Sequence, residues 1–130
     1  MKRLILLFLL CWGTAAMAGQ PVLTFNMLNS GGAPVTYIFA LPDDYLAAQP
    51  PITDPKGDLQ HQAGVAALAW AKEFYNARDV YLLGVELKQN PAPYFLAKFN
   101  GEVGGRRQSF FAVVLPSGTV VEPSQLVAGR

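Results

Sequence analysis

One cysteine and one histidine in 130 residues remove much active-site chemistry before any pattern is read. Cys11 and His61 cannot between them build a Cys/His zinc cluster, and a lone cysteine closes no disulfide within the chain. Nucleophilic catalysis with a histidine base would have to use His61. Charge is also sparse. Ten basic and nine acidic residues leave a net charge of +1, which gives no field to draw in nucleic acid or an anionic membrane. The strongest apolar run, Leu4 to Trp12, falls short of the roughly 20 residues that a membrane-spanning helix needs. The chain carries no internal repeat and no low-complexity segment.

That short apolar run has a different meaning in its context. Lys2 and Arg3 precede it and Ala16-Met17-Ala18, a small-x-small site, follows it. The pattern is that of a secretory signal peptide, residues 1–18, cleaved after Ala18. Lipidation at Cys11 fits less well, because bulky Phe8-Leu9-Leu10 stands where a lipoprotein signal needs small residues. Cleavage removes two basic residues and the cysteine, leaving eight basic and nine acidic residues in a mature chain of 112. Such a chain suffices for one domain, residues 19–130, held by its core rather than by disulfides. The expected location is the periplasm or the secreted fraction, with no membrane span after cleavage.

The mature chain is ordered around Asp79 to Glu122. Apolar stretches rich in β-branched and aromatic residues (VYLLGVELK, PYFLAKFN, QSFFAVVL, TVVE) alternate there with turn-forming clusters, as in an antiparallel meander. Asn100-Gly101 is the strongest two-residue turn signal among them, which assigns Gly104-Gly105 to a bulge. Upstream, Pro21–Leu28 and Val35–Leu41 flank a Gly-Gly loop and form a candidate hairpin. The proline-rich segment 47–57 is a connector. From Leu59 to Arg78 the spacing predicts a helix with Asp58 as its N-cap. Leu59, Ala63, Ala66, Ala67, Trp70, Phe74 and Ala77 share its buried stripe. Val65, Leu68 and Tyr75 lie on the opposite side, uncovered unless the hairpin or another chain packs there. Ser124 to Arg130 reads as a frayed tail. The expected class is therefore α+β: one amphipathic helix packed on an antiparallel sheet of four to six strands, with an N-terminal β-hairpin.

The run AGVAALAWAKEF, then VYLLGVELK, PYFLAKFNG and FFAVVLPSGTVVEP, resembles PepSY-type domains, and more broadly the cystatin-like layout of one helix across a curved sheet. The resemblance covers about residues 58–123. It implies an extracytoplasmic, non-catalytic module that binds or restrains another protein, and it transfers no site residue.

Candidate chemistry is thin. His61 reads as a surface residue on the first helical turn. Asp43-Asp44 offers oxygen ligands to a hard cation, but adjacent acids in a loop more simply solvate a turn. Asp54 reads as a turn residue. Glu73 and Glu86 form a catalytic carboxylate pair only if the fold joins them. Gly104-Gly105-Arg106-Arg107 is the most distinctive polar stretch. Its arginines can fork onto a carboxylate or phosphate, or simply keep a strand edge solvated. Phe110 and Phe111 are neighbours in a strand, so one must leave the core. No catalytic residue, metal or cofactor is expected. The expected contact residues are Arg106, Arg107, Leu68 and Tyr75, and the expected partner is another envelope protein. Two other readings stand beside this one: a ligand-binding protein or enzyme with a pocket between helix and sheet, and a structural subunit that self-associates through Val35–Leu41.

Overall fold

The structure, a computed structural model, describes residues 19–47 and 49–127. The expected signal segment, residues 1–18, lies outside them, as do residues 128–130. In chain order the elements are β1 (Gln20–Leu28), β2 (Pro34–Leu41), a single turn of helix α1 (Asp43–Leu46), α2 (Asp58–Phe74), β3 (Arg78–Lys88), β4 (Tyr94–Val103), β5 (Arg106–Val114), β6 (Val120–Val121) and β7 (Ser124–Val127).

The layout corrects the expectation of an α+β domain with one helix on one sheet. Strand makes up 49% and helix 19% of the described residues, so the fold is mostly β. The strands form two antiparallel sheets, β1-β2-β7 and β3-β4-β5-β6, with a half-barrel curl. The meander strands follow one another in the second sheet. The hairpin joins a sheet of its own, completed by a segment that reads as frayed tail. Pro123 ends β6, the chain crosses over, and Ser124–Val127 pairs with Val35–Ile38. Four residues, two polar followed by two apolar, carry too little pattern to announce a strand.

Three local features differ from expectation, each for a steric or hydrogen-bonding reason. The β4–β5 turn is Gly104-Gly105, both at positive φ (62° and 79°), with Val103 paired to Arg106 across it. Asn100-Gly101 instead lies within β4. A Cβ at Gly101 would come within 3.0 Å of the Phe110 and Val80 side chains, so the glycine serves close packing rather than a turn. At the start of α2, Asp54 rather than Asp58 supplies the cap. Its carboxylate accepts from the N–H groups of Leu59 (3.1 Å) and Gln60 (2.8 Å), while Asp58 is already helical. The helix ends in a Schellman arrangement: Asn76 at φ 55°, its N–H on the Glu73 carbonyl and the Ala77 N–H on the Lys72 carbonyl.

The buried face of α2 is also rotated from the expected stripe. Ala63, Gly64, Ala67 and Ala71 are its buried residues. Small side chains let the helix sit close to the second sheet. A Cβ at Gly64 would stand 3.1 Å from Leu82 and 3.3 Å from Val85 of β3. Trp70 and Phe74 move to the flank, stacked on each other at 4.5 Å, where they meet Phe39 and Tyr37 of β2. The hairpin thus packs against the side of the helix, with Tyr37 and Phe39 buried beneath it.

The two sheets touch where β1 runs beside β5, and one side chain stands in for a backbone ladder there. The Gln108 amide donates from Nε2 to the Leu28 carbonyl (2.8 Å) and accepts on Oε1 from the Leu28 N–H (2.9 Å). It therefore pairs with Leu28 as a facing strand residue would. Next to this clasp the two hairpin ends meet, since a Cβ at Gly104 would lie 2.8 Å from the Ser30 carbonyl oxygen. Gln108→Ala leaves both Leu28 groups unpaired and is expected to lower unfolding stability by about 1–3 kcal/mol. Gln108→Glu keeps an acceptor for the N–H but opposes one oxygen to the carbonyl, so it should recover little of that loss. Urea unfolding of the three chains checks both statements.

Candidate functional site

Of the six large apolar side chains left exposed among the described residues, four gather around β3; the other two, Leu126 (59%) and Val127 (55%), lie on β7. Tyr81 (62% exposed), Leu82 (38%) and Leu83 (57%) are consecutive on that strand, and Val65 (59%) stands across from them on α2. Among the described residues β3 is one edge of its sheet and the two-residue β6 the other. Two hollows flank it. One, of about 260 Å³, lies between helix and strand and is lined by Gln60, His61, Gly64, Val65, Leu68, Leu82 and Val85. The other, of about 370 Å³, lies on the far side of the sheet, where Leu83, Leu96 and Phe111 surround Glu86 and Lys98. Together they form an apolar strip on both faces of this edge strand, and a cluster of exposed apolar side chains says more than single ones scattered over a surface.

The edge is a poor template for continuous strand addition. The β3–β4 register shifts twice, between Arg78 and Tyr81 and again between Leu82 and Gly84. Such bulges bend an edge strand away from a flat partner. The Val85 carbonyl already accepts from Gln60 Nε2 at 2.6 Å. What the strip offers is side-chain surface, with a groove between α2 and β3.

Of the four expected contact residues, Leu68 and Arg107 lie at this edge. Leu68 is half-buried and lines the helix–strand groove. Arg107 crosses from β5 over β4 to β3. Its Nη1 donates to Asn100 Oδ1 (2.8 Å), and Nη1 and Nη2 both donate to the Asp79 carbonyl (3.3 and 3.2 Å). The guanidinium also stands 5.4 Å from the centre of the Tyr81 ring. Asp79 has φ 50° in the first bulge, so the arginine holds a backbone turn that an aspartate enters with some strain. Arg106 is elsewhere, beside Gly32 of the β1–β2 turn.

Tyr75 is the correction. Instead of facing outward it is 3% exposed. The rotation of α2 carries it inward, where its ring lies 4.7 Å from Phe110, 5.3 Å from Tyr37 and 5.5 Å from Trp70. Its hydroxyl donates to the Phe111 carbonyl at 2.7 Å. Burial raises its pKa far above the ordinary 10.0, with a smaller contribution from Tyr37. Phe110 is fully buried, whereas Phe111 faces the other way, covered on one side by Phe25 at 5.0 Å.

The remaining polar candidates do not converge. Glu73 sits beside Trp70 and Phe74, whereas Glu86 lines the hollow on the far side of the sheet and pairs with Lys88 at 3.4 Å along β3. His61 is exposed at the rim of the helix–strand groove. Asp43 and Asp44 share a cleft of about 670 Å³ with Glu122, over a floor that includes Ile38, Leu115 and Val121. Among the described residues no group of three or more His, Cys, Asp or Glu is placed to hold a metal. The space between helix and sheet is filled by Ala63, Ala67, Ala71, Phe99 and Phe110.

Comparisons with protein families, with curated proteins and with solved structures found no match. The reading of function therefore stands on the chain itself. Of the surface found here, sequence reasoning missed Tyr81, Leu82 and Leu83. An apolar run in a strand reads as core until the sheet order shows that the strand is an edge.

The placement of Tyr75 carries a pH signature. The fold favours its neutral phenol, so the unfolded chain loses that proton first. Stability should be flat in this group below about pH 10 and fall as pH rises beyond it. Tyr75→Phe should cost about 1 kcal/mol near neutrality through the lost hydrogen bond. It should also decline less steeply between about pH 9 and pH 11. Residual slope is expected from Tyr37, Tyr45 and Tyr94, whose pKa values burial also raises. Urea unfolding across that range reads both effects.

Proposed function

We propose that this chain is an exported, non-enzymatic module that binds another protein of the cell envelope through the apolar strip around β3. The observation that carries the reading is the run Tyr81-Leu82-Leu83, left exposed beside Val65 while the aromatic side chains of the interior are buried. Exposing such a strip costs solvation free energy that a partner's apolar side chains would recover. The bulged edge favours a partner that inserts side chains into the groove between α2 and β3 over one that adds a strand. The charge pattern of residues 1–18 supports export, and the PepSY-type resemblance implies the same kind of role. Among the described residues no helix is long and apolar enough to cross a membrane.

The pocket reading has less support, since the helix–sheet space is occupied by core side chains. Self-association through Val35–Leu41 also loses support, because β2 is paired on both flanks over Val35–Ile38.

A photo-crosslinking amino acid at Leu83 or Val65, in cells that export the chain, should capture an envelope protein. The same probe at exposed Thr24 on β1 should not. Leu82→Asp should abolish the capture without unfolding the domain. Equal capture from Thr24, or capture that survives Leu82→Asp, would contradict the reading. Arg106→Ala is expected to leave capture unchanged, and Arg107→Ala to weaken it.

A further inference from the structure

We infer that the exported chain begins at Gly19 and that its new α-ammonium group is bound by Asp43. The inference rests on the export reading and adds to it a defined start and a role for a surface carboxylate.

Two independent observations meet at this residue. The small-x-small motif Ala16-Met17-Ala18 places the scissile bond before Gly19. The fold, without reference to any peptidase, gives residue 19 a place that fits glycine. A Cβ there would lie 2.6 Å from the Leu41 carbonyl oxygen and 3.3 Å from the Ala40 Cβ. Gln20 pairs with Leu41 at the end of the β1–β2 hairpin, so Gly19 is fixed just outside the ladder. Its nitrogen donates to Asp43 Oδ1 at 3.1 Å.

The charges around this point favour a cation. The cleft beside it is lined by the carboxylates of Asp43 and Asp44 on α1 and of Glu122 after β6. The lining from β2, Ile38 and Ala40, and from β7, Ser124, carries no charge, and no lysine, arginine or histidine contributes. Before cleavage the donor is a neutral amide. Hydrolysis adds water across the Ala18–Gly19 bond: hydroxide joins the Ala18 carbonyl carbon, the C–N bond breaks, and the nitrogen leaves as the protonated amine of Gly19. The released leader keeps the carboxylate. The same 3.1 Å contact then becomes a charge-assisted hydrogen bond.

The test expresses the full chain in an export-competent bacterium with two membranes. N-terminal sequencing and intact mass of the periplasmic product should read Gly-Gln-Pro. A product that is cleaved but begins at another residue overturns this inference and leaves export standing. Retention of the uncut chain in the cytoplasm overturns both. On the purified mature protein, an amine-acylating reagent near neutral pH should modify the α-amino group about twofold to fivefold more slowly than in Asp43→Asn, the range expected for an exposed ion pair. Gly19→Ala keeps Ala16 and Ala18, so it should still be cut, yet react at the rate of Asp43→Asn. High salt should narrow the difference. Equal α-amine reactivity in wild type and Asp43→Asn, both folded by circular dichroism, would overturn the capture.

Discussion

The ring of Tyr75 lies where the helix and the two sheets meet. Phe110 of one sheet, Tyr37 of the other and Trp70 of the helix each pack within 6 Å of it, and its hydroxyl is bound to the Phe111 backbone. A three-stranded sheet with a four-residue edge strand has little stability of its own. The hairpin and β7 hold their place because Tyr37 and Phe39 find the flank of the helix, and because Gln108 fastens Leu28 to β5. The alanine face of α2 makes this possible. Small residues bring the helix down onto the second sheet and free its large aromatic side chains to reach sideways to the first.

Much of this was legible in the sequence, and the misreadings have physical causes. The meander and the long helix were marked by periodicity and turn residues. The burial of Tyr75 was hidden because the arc that collects Leu59, Ala63, Ala66, Ala67, Trp70, Phe74 and Ala77 leaves it on the other side, whereas close packing turned the buried face onto Ala63, Gly64, Ala67 and Ala71. The turn was misplaced because Asn-Gly satisfies a hairpin, but Gly101 was needed for its missing Cβ. The second sheet was missed because β7 has no pattern of its own; its pairing is dictated by the exposed flank of β2. No local signal marked β3 as an edge, so the surface it carries could not be read as surface.

The same architecture explains why the candidate surface lies where it does. β2, β4 and β5 are each flanked by a strand on both sides. The edge at β3 is defended differently, by two bulges, by Arg107 holding the first of them, and by Gln60 on a carbonyl. Those devices blunt backbone pairing but leave apolar side chains in water. An edge that discourages strand addition while retaining Tyr81, Leu82 and Leu83 suits selective side-chain docking better than aggregation.

The central structural claim is that the aromatic contacts around Tyr75 and the Gln108 clasp make the two sheets one cooperative unit. Native-state hydrogen exchange tests it most directly, by comparing amides of β2 at Tyr37 and Phe39 with amides of β4 and β5 at Phe99 and Ala112. The account predicts one opening free energy for both sets, with the same dependence on denaturant. Exchange of β2 through a separate opening of lower free energy, while β4 and β5 stay protected, would contradict it.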